Sequence, residues 1–288
     1  MKIHRIIFVL SLFLACSAIA DTGRVTNNES DLTDNTLQHI YRSAIENKDP
    51  AAMYELGNMF DEGVGVAQNY EEASKWFYRA ADLGSGEAMN SLGIAYATGR
   101  GVPQSYALSF RWLFKAVEKG SIEAMSNIAK AFYLGAGRPV SYSEAAKWFE
   151  LAAMNGNASA MNNLALMYDK GMGVTQNHHV AVVLLERSAK RGYPLAMKNL
   201  GILYANGDAV KQDDLVAFAW LGAALEAGLP DEDRDAVAEK LGILAKQLDA
   251  KELARARTLV DEISAAVMRH QQSRKTRSDS SSPTPNIL

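Results

Sequence analysis

The sequence predicts an all-α protein, a solenoid of stacked antiparallel helix pairs, and three observations carry that expectation. Ala-Met recurs at 52–53, 88–89, 124–125, 160–161 and 196–197, always 36 residues apart. Behind each Met come an aliphatic, a small and an aromatic residue at helical spacing, such as Leu56, Gly57 and Phe60 or Leu200, Gly201 and Tyr204. Glycine returns at fixed places between these segments. A period of this length without insertion or deletion denotes several copies of one supersecondary unit.

Composition narrows the class without naming a function. The chain has 288 residues, 48% hydrophobic, 22% charged, with 21 Gly and one Cys. That excludes a collagen-like chain, a globally disordered chain and a disulfide scaffold. A formal net charge of −3 lacks the basic excess of a nucleic-acid binder, so none is expected as a partner.

Residues 1–20 read as a secretion signal. Lys2 and Arg5 precede an apolar run from Ile6 to Ala15, and Ala18-Ile19-Ala20 offers a small-x-small cleavage site between Ala20 and Asp21. The run is too short for a typical spanning helix, so no integral membrane span is expected after cleavage. The rival is a lipoprotein anchored through Cys16, although Phe13 fits that signal poorly. Cleavage leaves a cysteine-free chain held by packing alone, which points to a periplasmic or secreted protein of a bacterial envelope.

Residues 21–33 are polar and expected to be flexible. Subtracting the period from Trp76 and Ala80 gives Ile40 and Ala44, so 34–48 reads as a lone capping helix. Five repeats follow at 49–84, 85–120, 121–156, 157–192 and 193–228. The first helix of each opens at Asp49, Ser85, Ser121 or Asn157, all good N-caps, with Tyr193-Pro194 in the fifth copy. It ends at Gly63, Gly99, Gly135, Gly171 or Gly207, where glycine takes a left-handed turn at little cost. The second helix starts after Asn69, Ser105, Ser141, Asn177 or Asp213, and Asn69/Glu72 and Ser141/Glu144 have capping-box spacing. Its core columns hold Ala73, Trp76 and Ala80 and their counterparts, with Leu184 in place of Trp in the fourth copy. Small residues opposite Trp and Tyr let helices approach while one large side chain fills the gap, so the four Trp are read as packing residues. Residues 229–268 read as a capping helix pair, with Ala236, Leu241, Leu244, Leu248, Leu253, Ala254, Leu259 and Ile263 as its apolar stripe. Residues 269–288 have the composition of a disordered tail.

The pattern Ala-x-x-x-Leu-Gly-x-x-Tyr-x-x-Gly-x-Gly-Val, then Ala-x-x-Trp-x-x-x-Ala-Ala-x-x-Gly, resembles Sel1-like repeats, relatives of tetratricopeptide repeats. Leu56-Gly57, Phe60, Gly63, Gly65, Val66, Ala73, Trp76, Ala80-Ala81 and Gly84 carry it in the first copy. Departures are Arg138-Pro139 in the third inter-helix loop, Leu184 in the fourth copy and Asp208-Ala209 in the fifth. The resemblance implies a right-handed superhelix whose concave face takes a partner protein or peptide. It also points to an envelope partner such as a sensor or an assembly component, to a secreted host-interaction factor, or to a hydrolase of cell-wall or antibiotic substrates.

By that similarity the partner-binding stripe is Tyr54, Asn58 and Asp61; Asn90 and Ile94; Ser126, Lys130 and Tyr133; Asn162, Leu166 and Asp169; Lys198 and Ile202. Ile94, Leu166 and Ile202 would anchor apolar groups, and Asn90, Asn127, Asn162, Asn163 and Asn199 would hold an extended backbone through amide pairs. No catalytic residue, metal ligand or cofactor is expected. His39, His178, His179 and His270 show no metal-ligand spacing, and adjacent His178-His179 diverge on a helix. There is no nucleophile elbow or phosphate loop, and Asp231-Glu232-Asp233 reads as an acidic helix start.

Overall fold

The computed structural model describes residues 29–278. Helix α1, Glu29–Glu46, stands alone before five helix pairs. The pairs are α2 (Pro50–Glu62) with α3 (Tyr70–Asp82), α4 (Gly86–Thr98) with α5 (Tyr106–Glu118), α6 (Ile122–Leu134) with α7 (Tyr142–Met154), α8 (Ala158–Lys170) with α9 (His178–Ala189), and α10 (Pro194–Asn206) with α11 (Asp214–Glu226). Helices α12 (Asp231–Gln247) and α13 (Ala250–Ser278) close the array, and no strand occurs among the described residues. The signal segment, the Ala20–Asp21 junction and Cys16 lie outside the described residues.

Local chemistry sets the helix ends. Asp49, Ser85, Ser121 and Asn157 each accept a hydrogen bond from a first-turn amide of their helix, whereas Tyr193 makes no such side-chain bond and relies on Pro194. Asn69, Ser105, Ser141, Asn177 and Asp213 cap the second helices in the same way. The reciprocal half of the expected capping boxes is not made. The amides of Asn69 and Ser141 already donate to the Phe60 and Phe132 carbonyls at 2.8 and 3.0 Å, closing the inter-helix loop. Glu72 and Glu144 are left to pair with Lys75 and Lys147 at 2.9 and 2.7 Å.

The core runs continuously through the stack. Leu56, Leu92, Ile128 and Leu200 are fully buried, as are Ala80, Ala116, Ala152, Ser188 and Ala224 on the second helices. The small column beside the leucines is a close-approach point: a Cβ on Gly57 would sit 2.4 Å from Phe77, and one on Gly93 2.6 Å from Leu113. Burying a polar group without a partner is costly, and Ser188 Oγ donates to the Ala158 carbonyl at 2.6 Å. Trp76 is buried, while Trp112, Trp148 and Trp220 are half-buried and line the flank of the core. Tyr41 meets Trp76, Tyr78 meets Trp112 and Phe114 meets Trp148, each edge to face at 5.5 to 5.7 Å, so the rings tie successive elements together.

The ends differ from expectation in three respects. Helix α1 starts at Glu29, so residues 29–33 are helical and not a flexible lead. Ile40 and Ala44 are buried, and Ile40 lies beneath the first pair's core. At the other end α13 continues to Ser278, so residues 269–278 extend the capping helix instead of beginning a tail. Gln, Arg and Lys in that stretch are good helix formers, and Val267, just before it, is buried close to Gly192. The apolar stripe of the cap is met in part: Leu244 is buried, and Leu241 and Ile263 pack against the core. Ala236 and Ala254 are exposed, and Val237, Ala256 and Val260 are buried, because Val260 fills the space above Gly222 of α11.

Candidate partner-binding surface

Helical spacing fixes which side chains remain for a partner once the core stripe is buried. On α2, Met53, Leu56 and Gly57 face inward, leaving Tyr54, Asn58 and Asp61 half-buried one position round the helix. The same register holds down the array. First helices α4 and α6, and α8 and α10, touch across the repeat boundary, and among the described residues no two second helices approach to the same extent.

The candidate stripe divides into an open part and a part used by the fold. Ile94 is half-exposed, and Leu166 and Ile202 are 37% and 38% exposed, with Lys130 also reaching solvent. Asn58, Asp61 and Ile94 share a shallow cleft of about 70 Å³ with Phe77 and Arg100, between the first and second repeats. Ser126 and Asn162, expected on the open surface, are buried at 3% exposure each. Ser126 Oγ has no hydrogen-bond partner among the described residues. Asn162 Oδ1 accepts from the Asn199 side-chain amide at 2.9 Å.

That pair changes the reading of the asparagines. Asn127 donates to Asn90 Oδ1 at 2.9 Å, the same bond one repeat pair earlier, and Asn163 Nδ2 donates to its own helix at the Ser159 carbonyl. The Asn90–Asn127 and Asn162–Asn199 pairs act as braces between neighbouring first helices. The sequence showed the amide columns, but only the stacking register shows that column 90 reaches column 127.

Charges in the stripe divide likewise. Lys198 Nζ lies 2.6 Å from Asp233 of α12, so this groove lysine is tied to the cap, and Asp233 does more than complement a helix dipole. Asp169 meets His178 Nδ1 at 2.8 Å, joining the end of α8 to the start of α9. Tyr133 packs edge to face on Tyr142, with ring centroids 5.4 Å apart. Lys130 has no carboxylate within ion-pair distance among the described residues. Although its side chain reaches solvent, the surrounding walls strip enough water to hold its ammonium below the ordinary lysine range.

The remaining perturbed groups are tyrosines. Burial pushes the Tyr41, Tyr78 and Tyr204 hydroxyls up, and Tyr78 shares a hydrogen bond with Tyr96. Phenols held more firmly protonated are poor nucleophiles and bases at neutral pH. No group of three or more His, Cys, Asp or Glu residues among those described is arranged to hold a metal ion. Among the described residues no helix is long and apolar enough to cross a membrane.

Comparison with known proteins agrees with this architecture. The chain is similar to a solved Sel1 repeat protein from Oxalobacter formigenes, with 28% identity, 81% of this chain and 98% of that chain covered, and a TM-score of 0.66. It is also similar to c5321, a protective antigen of uropathogenic Escherichia coli strains displaying an SLR fold, at 22% identity, covering 88% of this chain and 61% of that one, with a TM-score of 0.48. No curated protein matches the chain. The Sel1 repeat model matches residues 50–85, 86–121, 122–157, 158–193 and 194–229. Five such matches, spread over most of the helical array just described, establish that the chain belongs to the Sel1 repeat family.

Proposed function

We propose that this chain is a non-catalytic scaffold of the bacterial envelope that binds a partner protein or peptide along its first helices. Sel1 repeat proteins generally act as protein–protein interaction scaffolds. The observation that carries the reading here is the open apolar register Ile94, Leu166 and Ile202, beside a stripe on the same helices that is fully buried. Large apolar side chains at one register position of several first helices are what a docked segment needs for anchoring. The closer approach of first helices supports placing that line on the inside of the array's curve. The signal-like start at residues 1–20 supports export to the periplasm or beyond. The partner would be a sensor or an assembly component of the envelope.

Crosslinking and pull-down from envelope extracts tests the reading. Changing Tyr54, Lys130 and Leu166 together to Ala is expected to remove the partners recovered by the unaltered chain. Recovery of the same partners at the same yield would overturn the groove assignment.

A further inference from the structure

The third repeat breaks the pattern of the other four on the surface. Its first helix carries Lys130 in the column occupied elsewhere by Asn58, Ile94, Leu166 and Ile202. Ile94 and Leu166 therefore flank Lys130 in neighbouring repeats, so the stripe reads apolar, cationic, apolar. The other basic residue of the stripe, Lys198, is neutralised by Asp233, and the acid Asp169 is paired with His178. Lys130 is left as the stripe's cation without a carboxylate among the described residues. Desolvation alone shifts its ammonium, and downward; a nearby carboxylate would push it the other way.

The loop that follows Lys130 is just as unusual. Leu134 is 73% exposed and Val140 is 50% exposed, and Tyr142 and Tyr106 also stand open. These groups are neighbours. The Val140 side chain lies beside Gly135, Gly137 packs on Tyr106, and Tyr142 stacks against Tyr133, one turn along from Lys130. The corresponding residues elsewhere are polar: Glu62, Thr98, Lys170 and Asn206 for Leu134, and Gln68, Gln104, Gln176 and Gln212 for Val140. One repeat thus joins an uncompensated cation to an apolar shelf at the array's loop edge.

From this juxtaposition we infer that the third repeat is the specificity centre of the groove, and that it selects an extended partner segment bearing an Asp or Glu side chain flanked by bulky apolar residues. The inference rests on the groove reading proposed above. The acid meets Lys130, and its flanking apolar residues reach Ile94 and Leu166, or the shelf of Leu134, Val140 and Tyr142. The carboxylate comes from within the segment and not from a chain end, because the stripe continues on both sides of Lys130. An ammonium already short of water loses less hydration on pairing, which favours the contact.

The test uses a random peptide library displayed between two carrier segments, so that no free C-terminus is present, with the full chain as bait. Selected peptides are expected to share an acid between bulky apolar residues. Lys130→Ala should weaken their binding about tenfold or more, and selection on Lys130→Glu should exchange the acid for Lys or Arg. Val140→Gln with Leu134→Ser should weaken the same peptides about fivefold, with the thermal midpoint held to show an intact fold. Peptides without an acid, or an acid preference that survives Lys130→Glu, would overturn the inference. If such peptides still lose binding on Leu166→Ala, the groove reading stands while the Lys130 inference falls. No selected peptide, or peptides indifferent to both Lys130→Ala and Leu166→Ala, would overturn both.

Discussion

The inter-helix loops of repeats 1, 2 and 4 and those of repeats 3 and 5 follow the same backbone course with different side-chain support. In the first group two glycines take positive φ, as Gly63 and Gly65 do at 75° and 71°. A glutamine side chain then donates back to the first helix, Gln68 to the Asp61 carbonyl at 2.8 Å, Gln104 to Ala97 at 2.8 Å and Gln176 to Asp169 at 2.7 Å. Repeat 3 keeps both glycines and loses the glutamine to Val140, while Arg138 lies 3.6 Å from the Phe110 ring centroid and 4.6 Å from that of Phe132. Repeat 5 keeps Gln212, which turns to Asp214 instead, and has Ala209 at φ 61° in place of the second glycine. One bond is common to all five: the amide of the second helix's N-cap donates to the aromatic residue's carbonyl, from Asn69 to Phe60 through Asp213 to Tyr204. The main-chain closure and the left-handed turn set the loop, and the side-chain brace can be replaced.

The comparison breaks most visibly at the second loop glycine. A Cβ on Gly101 would lie 1.9 Å from the Tyr70 carbonyl oxygen of the preceding repeat, a backbone atom that cannot swing away. Gly101→Ala is therefore expected to cost about 3 kcal/mol or more, combining left-handed strain of about 1–2 kcal/mol with the displaced repeat interface. Gly228, at φ 85°, has nothing within 4 Å of the place a Cβ would take, so Gly228→Ala should cost only the strain, about 1 kcal/mol. Urea midpoints of the two variants measure the difference. Equal losses would show that the loop glycine serves φ alone and not repeat stacking.

Arg138 is next in size. Its guanidinium lies over Phe110 of the preceding repeat and Phe132 of its own, and Arg138→Ala should destabilise by about 1 kcal/mol. Arg138→Lys should recover only part, since an ammonium lacks the planar face that stacks on Phe110. Ala209→Gly has the opposite sign. It relieves a left-handed alanine and should stabilise by about 0.5–1 kcal/mol, read as a higher urea midpoint.

These loops also show what could be read from sequence. The glycine columns, the N-caps and the buried Leu and Ala columns were all legible because each answers to a local rule, φ, first-turn amides or helical period. Arg138-Pro139 and Asp208-Ala209 were legible as departures, but not what replaced them, since the rings over which Arg138 lies come from two different repeats. The candidate stripe was readable as a register and only partly as a surface. Ser126 and Asn162 share the column of Tyr54 yet are buried, because the neighbouring first helix closes over them there, and the period of one helix carries no information on that approach. The Asn162–Asn199 and Lys198–Asp233 contacts were hidden for the same reason, since both join separate elements. At the C-terminus the apolar residues were visible, but the face used by α13 depends on where Gly222 leaves room for Val260.

The smallest effect gives the sharpest comparison. Val140→Gln would give repeat 3 the brace that repeats 1, 2 and 4 possess, donating to the Tyr133 carbonyl as Gln68 does to that of Asp61. One exposed side chain–backbone hydrogen bond contributes about 0.5–1 kcal/mol, and little is lost by removing a valine that is already half in water. The variant should therefore be slightly more stable than the unaltered chain in urea. A protein that replaces the loop glutamine at one repeat only, and shows an apolar group there, has a use for the apolar group. If Val140→Gln raised the urea midpoint while leaving partner recovery unchanged, the third loop would be an ordinary variant of the others. A raised midpoint with weaker partner recovery would identify Val140 as a contact residue, held against the interest of the fold.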